Sequence, residues 1–267
     1  MRSRAAEQFA RLIVELQPYR DEIVFVGGWV HTLYLAEENE SGGVATEDID
    51  ITLPSELRAG DRPLLVELAA RAGFERDPIS DMGGVAPWMV YTNDAGHTVP
   101  IDFLTEGHPR AELEIAGQDG LMAQGYTGQR MLLENARPMR VGVSLHPLID
   151  PPCVIRVPTL GAYVLQKGVS ANTRLHPDKR AKDIIYILEI VSHPRLGPIA
   201  FAELPQMARR YAKEAAIFRE AIEETLKRES LLDDVVEQMS LSSAIHAAPE
   251  SLKATHRGWL RRLLAEA

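Results

Sequence analysis

The chain of 267 residues has a single cysteine, Cys153. That excludes an internal disulfide and any cysteine-rich zinc site. No run of 18 apolar residues occurs, so no transmembrane helix is expected. Segment 1–16 does not read as a secretory signal. The eight histidines are scattered, with no ligand-like pair on one helix. Internal repeats and low-complexity linkers are missing as well, and no lysine precedes Lys167. What is present, 45% hydrophobic and 25% charged residues, suits a globular protein of one large or two modest domains, with the cytoplasm its simplest location.

The formal net charge of -9 argues weakly against a nucleic-acid partner. Its distribution is uneven. Segment 1–136 has 10 basic and 23 acidic residues, 137–182 has 8 basic and 2 acidic, and 183–267 has 11 basic and 13 acidic. An acidic region beside a basic one suggests that the first holds cations and the second phosphates.

The acidic part contains the most informative pattern. An apolar strand, Val24-Phe25-Val26, runs into Gly27-Gly28 and then into a helix-like stretch from Trp29. Glycines there allow unusual dihedrals and close approach of a ligand. A following helix offers unpaired N–H groups and the positive end of its dipole to phosphate. Some twenty residues on, Asp48 and Asp50 alternate with Ile49 and Ile51. In a strand the two acids share one face and the isoleucines the other. Their side chains then lie roughly 6–7 Å apart along the strand, which suits a magnesium pair about 3.5–4 Å apart. Asp102 sits in a similar apolar setting, Val99-Pro100-Ile101-Asp102-Phe103-Leu104. An isolated Asp-x-Asp is most often a solvated edge strand. Here the glycine turn before it and the third acid after it favour a metal-dependent nucleotide-transfer site.

The surrounding pattern predicts helices over 1–20 and 29–38, with Phe9, Leu12, Ile13 and Leu16 on one face of the first. A glycine-bearing loop, 40–45, leads to a strand over 48–53. A helix over 62–72 stops at Gly73. Strands follow over 74–79, 88–92 and 98–104, the last two joined by a hairpin turn at 93–96. Segment 107–136 has no clear pattern. Short strands are expected at 141–145 and 154–157, then a helix from an N-cap at Thr159 to about 172, and another over about 177–191. The remainder reads as helix, broken near 194–198, Pro205 and Pro249. The domain boundary falls near 157, giving domains 1–157 and 158–267.

A second informative stretch lies in 165–183. Lys167 sits in an apolar helix, where it either snorkels to the surface or reaches a triphosphate or an acid. Lys179, Arg180 and Lys182 form a charge run, the usual mark of a solvated face and otherwise a source of phosphate or acceptor contacts. Asp183 lies among Ile184, Ile185 and Ile187, so burial with a basic partner is expected, Lys167 and Arg180 being the candidates.

Together these residues resemble the nucleotidyltransferase superfamily, the fold of DNA polymerase beta, the CCA-adding enzymes and the aminoglycoside nucleotidyltransferases. The resemblance rests on Gly27-Gly28, Asp48-Ile49-Asp50 and Asp102 over roughly 20–105. Segment 157–190, with Lys167 and Arg180-Ala181-Lys182-Asp183, resembles the abortive-infection type IV toxin nucleotidyltransferases more loosely. Those toxins usually carry serine where this chain has Gly28. The CCA-adding enzymes carry Arg-Asp where it has His31-Thr32, so CCA addition is not assigned.

The resemblance implies an α+β fold, a mixed sheet flanked by helices followed by a mainly helical C-terminal domain. It implies transfer of a nucleoside monophosphate from a nucleoside triphosphate such as ATP. Asp48, Asp50 and Asp102 would hold two magnesium ions, Gly27 and Gly28 would cradle the triphosphate, and Lys167 would add charge at its distal phosphates. The acceptor would be a hydroxyl on tRNA or another RNA, as in toxin-type enzymes with a cognate antitoxin, or on a small molecule. The other class left open is a non-catalytic nucleotide-binding module.

Overall fold

The computed structural model describes residues 4–37, 48–77, 89–93, 95–109, 111–242 and 249–267. The expected loop 40–45, Ile79, Trp88 and Asp94 lie outside them. At Pro158/Thr159 the chain divides into two compact units. The first is a mixed α/β unit and the second is helical.

In the first unit, α1 (Arg4–Glu15) ends in a single 3-10 turn, Gln17–Tyr19. Its apolar face, Phe9, Leu12, Ile13 and Leu16, is buried. Phe9 stacks on Trp29 at 4.1 Å between centroids and meets Phe25 edge-on at 5.4 Å. Three short elements follow: β1 (Val24–Val26), α2 (Trp29–Glu37) and β2 (Ile49–Thr52). Next come α3 (Leu65–Arg71), β3 (Glu75–Arg76), β4 (Met89–Thr92) and β5 (Thr98–Glu106). The β4–β5 hairpin is antiparallel, and the Asn93 side chain accepts from the Ala95 and His97 amides across its turn.

Segment 107–136, silent in the sequence, forms β6 (Glu112–Glu114), β7 (Met122–Tyr126) and α4 (Gln129–Glu134). Glu106, at the end of β5, accepts from the Gly128 and Arg130 amides at the start of α4. That carboxylate stands in for a local cap, so the sequence beside the helix shows no capping signal. Among the described residues the sheet order is β1-β2-β5-β4-β3, with β7 beside β5 and β6 beside β7. A separate antiparallel pair joins β8 (Ala136–Val141) to β9 (Cys153–Pro158). Segment 142–145, expected as strand, is instead the start of the turn between them, where the Leu145 and His146 amides bond back to the Gly142 carbonyl.

The second unit contains α5 (Leu160–Thr173), α6 (Pro177–Ser192), α7 (Leu196–Arg210), α8 (Ala212–Lys227), α9 (Glu229–Ser242) and α10 (Pro249–Glu266). The almost wholly buried α5 is its centre and packs against α6, α7 and α8. Gly168 allows the closest approach, since a Cβ there would overlap the Phe218 ring of α8. Two expectations are corrected. Thr159 takes the N-cap position, yet its hydroxyl makes no cap bond. Glu203 of α7 accepts from the Gly161 amide at 2.8 Å instead. Pro205 does not break the chain but sits inside α7. Among the described residues no single helix is long and apolar enough to cross a membrane.

A buried polar knot fixes the loops under α1. Gln118 donates to Tyr19 Oη and the Leu57 carbonyl, each at 2.9 Å, and accepts from the Leu65 amide at 2.8 Å. Tyr19 donates onward to the Pro63 carbonyl. Gln118→Ala should therefore cost about 2–3 kcal/mol, because buried partners are left unmade. A denaturant titration reads this as a lowered midpoint with an unchanged slope.

Candidate active site

Register brings the acids together. β1 pairs antiparallel with β2 and places Val26 opposite Asp50. β2 pairs in parallel with β5 and places Asp50 opposite Asp102. The adjacent row, Phe25, Ile51 and Phe103, is buried. The alternation is therefore a two-sided code: the apolar row locks into the core and turns the acid row to the other face. Neighbouring strands lie about 4.8 Å apart, so the Asp50 and Asp102 backbones are as close as the fold allows. Both side chains are half-buried, whereas Asp48, just before β2, is exposed.

The glycine turn belongs to the same place. Gly27 has φ of 69°, a left-handed conformation that disfavours any side chain. A Cβ built on it would overlap Asp50, whose atoms are the three nearest to that point. Gly28 completes the turn, and α2 starts at the next residue. Gly27, Asp50 and Asp102 thus form one locality, with Asp48 at its rim.

The donors suit a magnesium ion in kind, since carboxylate oxygens are hard ligands. They do not form a finished cage: among the described residues no group of three or more His, Cys, Asp and Glu side chains is arranged to hold a metal. Magnesium usually takes one or two carboxylates and completes its shell with water and substrate phosphates. The Asp50–Asp102 pair is of that kind.

In the second unit Lys167 is 7% exposed and its ammonium donates to Asp183 at 3.0 Å. The ammonium also lies 4.8 Å from the centre of the Tyr186 ring and 5.7 Å from that of Tyr163. Ser170 donates to the second carboxylate oxygen at 2.9 Å and Arg174 at 3.2 Å. Burial pushes the Asp183 carboxyl up, but the charges of Lys167 and Arg174 and the bonds from Lys167 and Ser170 outweigh it. It is held below the usual carboxylate range. Arg180, the other expected partner of Asp183, instead pairs with Glu224 of α8. Sequence reading missed Ser170 and Arg174. Ser170 stands three residues after Lys167 on α5, a spacing that shares a helix face; Arg174 lies just past the end of that helix and carries no such signal.

These contacts change the meaning of the basic segment. Arg137 pairs with Glu37, Lys167 and Arg174 with Asp183, and Arg180 with Glu224. Arg156, whose guanidinium is lowered chiefly by burial, donates to the Asp21 and Leu133 carbonyls. Arg140 and Lys179 are exposed, and the half-buried Lys182 lies over the Tyr186 ring. The surplus of cations in 137–182 is largely spent on ion pairs and burial inside the two units.

The sequence matches no protein-family model and no curated protein.

The Lys167–Asp183 pair yields a prediction with a definite sign. A depressed carboxyl contributes its full stability above the unfolded-chain value near pH 4 and loses it as pH falls through the lower folded value. Lys167→Met should cost about 3–5 kcal/mol near neutral pH, because a buried carboxylate loses its closest cation. The penalty should shrink as the solution is acidified below about pH 4. Thermal melts of both proteins from pH 7 to pH 3 measure this.

Proposed function

We propose that the first unit is a magnesium-dependent nucleotidyltransferase site, moving a nucleoside monophosphate from a nucleoside triphosphate to an acceptor hydroxyl. The observation that carries the reading is the alignment of Gly27, Asp50 and Asp102 across β1, β2 and β5. It is supported by Asp48, exposed at the entry to β2 two residues before Asp50. When bound, magnesium neutralises triphosphate charge and lowers the pKa of the acceptor hydroxyl. Asp50 and Asp102 would hold it, together with Asp48 at the entry to β2. The Gly27-Gly28 turn orients the triphosphate against the start of α2.

The acceptor oxygen forms a bond to the α-phosphorus. The bond from that phosphorus to the bridging oxygen breaks, and pyrophosphate leaves with the electron pair. Asp102 takes the hydroxyl proton. Positioning and charge carry this chemistry, with little covalent work for the protein. Lys167, which the resemblance gives to the distal phosphates, is bound to Asp183 within the second unit and has no part in this proposal. RNA, tRNA included, is one acceptor class. A small-molecule acceptor is the second reading, favoured by the ion-paired state of Arg137, Arg174 and Arg180.

The test uses the full chain with each α-labelled triphosphate and magnesium, with and without total RNA. Label should move to an acceptor with release of pyrophosphate. Asp50→Ala and Asp102→Asn should each lower the rate by at least about a hundredfold, the scale of losing an electrostatic group at a reacting centre. Their melting temperatures should stay level or rise, since a crowded acid row is relieved. Transfer at the parent rate by both variants would remove this reading.

A further inference from the structure

Register places one more polar side chain beside the acid pair. β7 runs parallel to β5 on the edge away from β2 and sets Gln124 opposite Leu104. Asp102 and Leu104 stand two residues apart in one unbroken ladder, so Asp102, Leu104 and Gln124 share a face of the sheet. It is the face of Asp50. The other face carries Phe25, Ile51 and Phe103, and Phe25 meets Phe9 of α1 there. Asp102 and Gln124 are thus diagonal neighbours. Their Cα atoms lie roughly 8 Å apart, from about 4.8 Å between strands and about 3.3 Å per residue.

The cover over this face is uneven. Glu106, further along β5 with the same parity as Asp102, accepts from the Gly128 and Arg130 amides and sets α4 over this end of the face. Leu104 and Thr52 are buried there, whereas Asp50 and Asp102 are half-buried. Gln124 is half-buried as well, and its carboxamide has no hydrogen-bond partner among the described residues. Gln129, the first residue of α4, is 1% exposed, and its Oε1 has no partner among them either. Amides removed from water are normally bonded. Here the fold leaves two amide oxygens unused on the side of the sheet that carries the acids.

We propose that Gln124 binds the acceptor, and that the acceptor carries a second hydroxyl next to the one that reacts. The Gln124 carboxamide both donates and accepts, so it suits a neutral hydroxyl in either sense. A neutral amide neither competes with Asp50 and Asp102 for a cation nor adds to their negative charge. Asp102 takes the proton of the reacting hydroxyl, Gln124 holds the vicinal one, and together they fix which oxygen faces the α-phosphorus. Ribose has such a diol, at an RNA 3′ end or in a free nucleoside. This rests on the nucleotidyltransferase reading of the site and adds to it an acceptor contact from β7 and the chemistry of the acceptor.

The test is transfer from an α-labelled triphosphate in magnesium by the full chain and by Gln124→Met, an apolar side chain of similar length. The acceptors come in two pairs: a short RNA ending in ribose or in 2′-deoxyribose, and a free nucleoside in its ribo or 2′-deoxy form. The parent should use the ribo member of a pair about tenfold better in kcat/KM, the scale of one hydrogen bond lost with its partner left unpaired. Gln124→Met should lose about tenfold on the ribo member, chiefly in acceptor KM, and less than about twofold on the deoxy member. Its melting should match that of the parent. This pattern on the RNA pair alone, or on the nucleoside pair alone, identifies the source of the diol.

A parent that uses both members of a pair equally would overturn the proposal. So would a Gln124→Met protein that loses equally on both members, the mark of a structural role, or that keeps the parent rate on both. A parent that labels total RNA but neither pair would overturn it too. Each of these results leaves the nucleotidyltransferase reading standing. No transfer by the parent to any acceptor would remove that reading and the role of Gln124 with it.

Discussion

The parallel pairing of β2 with β5 is the constraint on which the site depends. It sets Ile51 beside Phe103 and Asp50 beside Asp102 in one register. A shift by one residue would turn the acids into the core and the isoleucine and phenylalanine out to the other face. The free energy that holds two carboxylates side by side is thus the burial of the apolar row behind them. Each large side chain in that row contributes about 1.5–3 kcal/mol, more than the repulsion of two half-exposed acids removes. Antiparallel β1 then brings the glycine turn to the same row by its pairing of Val26 with Asp50.

The two units use charge differently. In the first, Asp50 and Asp102 are set side by side within β2 and β5, in a unit that has no lysine. In the second, Asp183 is buried with Lys167, Ser170 and Arg174 around it. A buried carboxylate with that many donors is costly to break and has little net advantage over an apolar replacement. The local excess of positive charge in 137–182 therefore does not translate into a basic surface. Sequence charge counts record what a segment contains, whereas partners such as Glu37 and Glu224 come from segments distant in the chain.

What was legible in the sequence follows the same division. Period-two alternation exposed β2 and β5, because Ile and Asp at alternate positions leave one reading of the face. The apolar face of α1 was legible for the same reason at helical spacing. The mixed sheet followed by a mainly helical region was visible in the change of pattern near 157. Elements held by distant groups were not legible. α4 is capped by Glu106 from the end of β5, so its start is not marked by its own neighbours, whereas the start of α5 was marked by Thr159 although Glu203 makes the bond to the Gly161 amide. Pro205 sits within α7, where tertiary packing overrides the local preference. Arg174 could not be placed near Asp183, because the turn between α5 and α6 brings it there.

The central claim is that Asp50 and Asp102 share one divalent cation. Manganese, observed by electron paramagnetic resonance as it is titrated into the full chain with tripolyphosphate present, tests this most directly. The account predicts a bound ion shared by this pair, with its loss in both Asp50→Asn and Asp102→Asn and melting of each level with the parent or higher. Manganese binding retained at parent strength in both folded variants would contradict it.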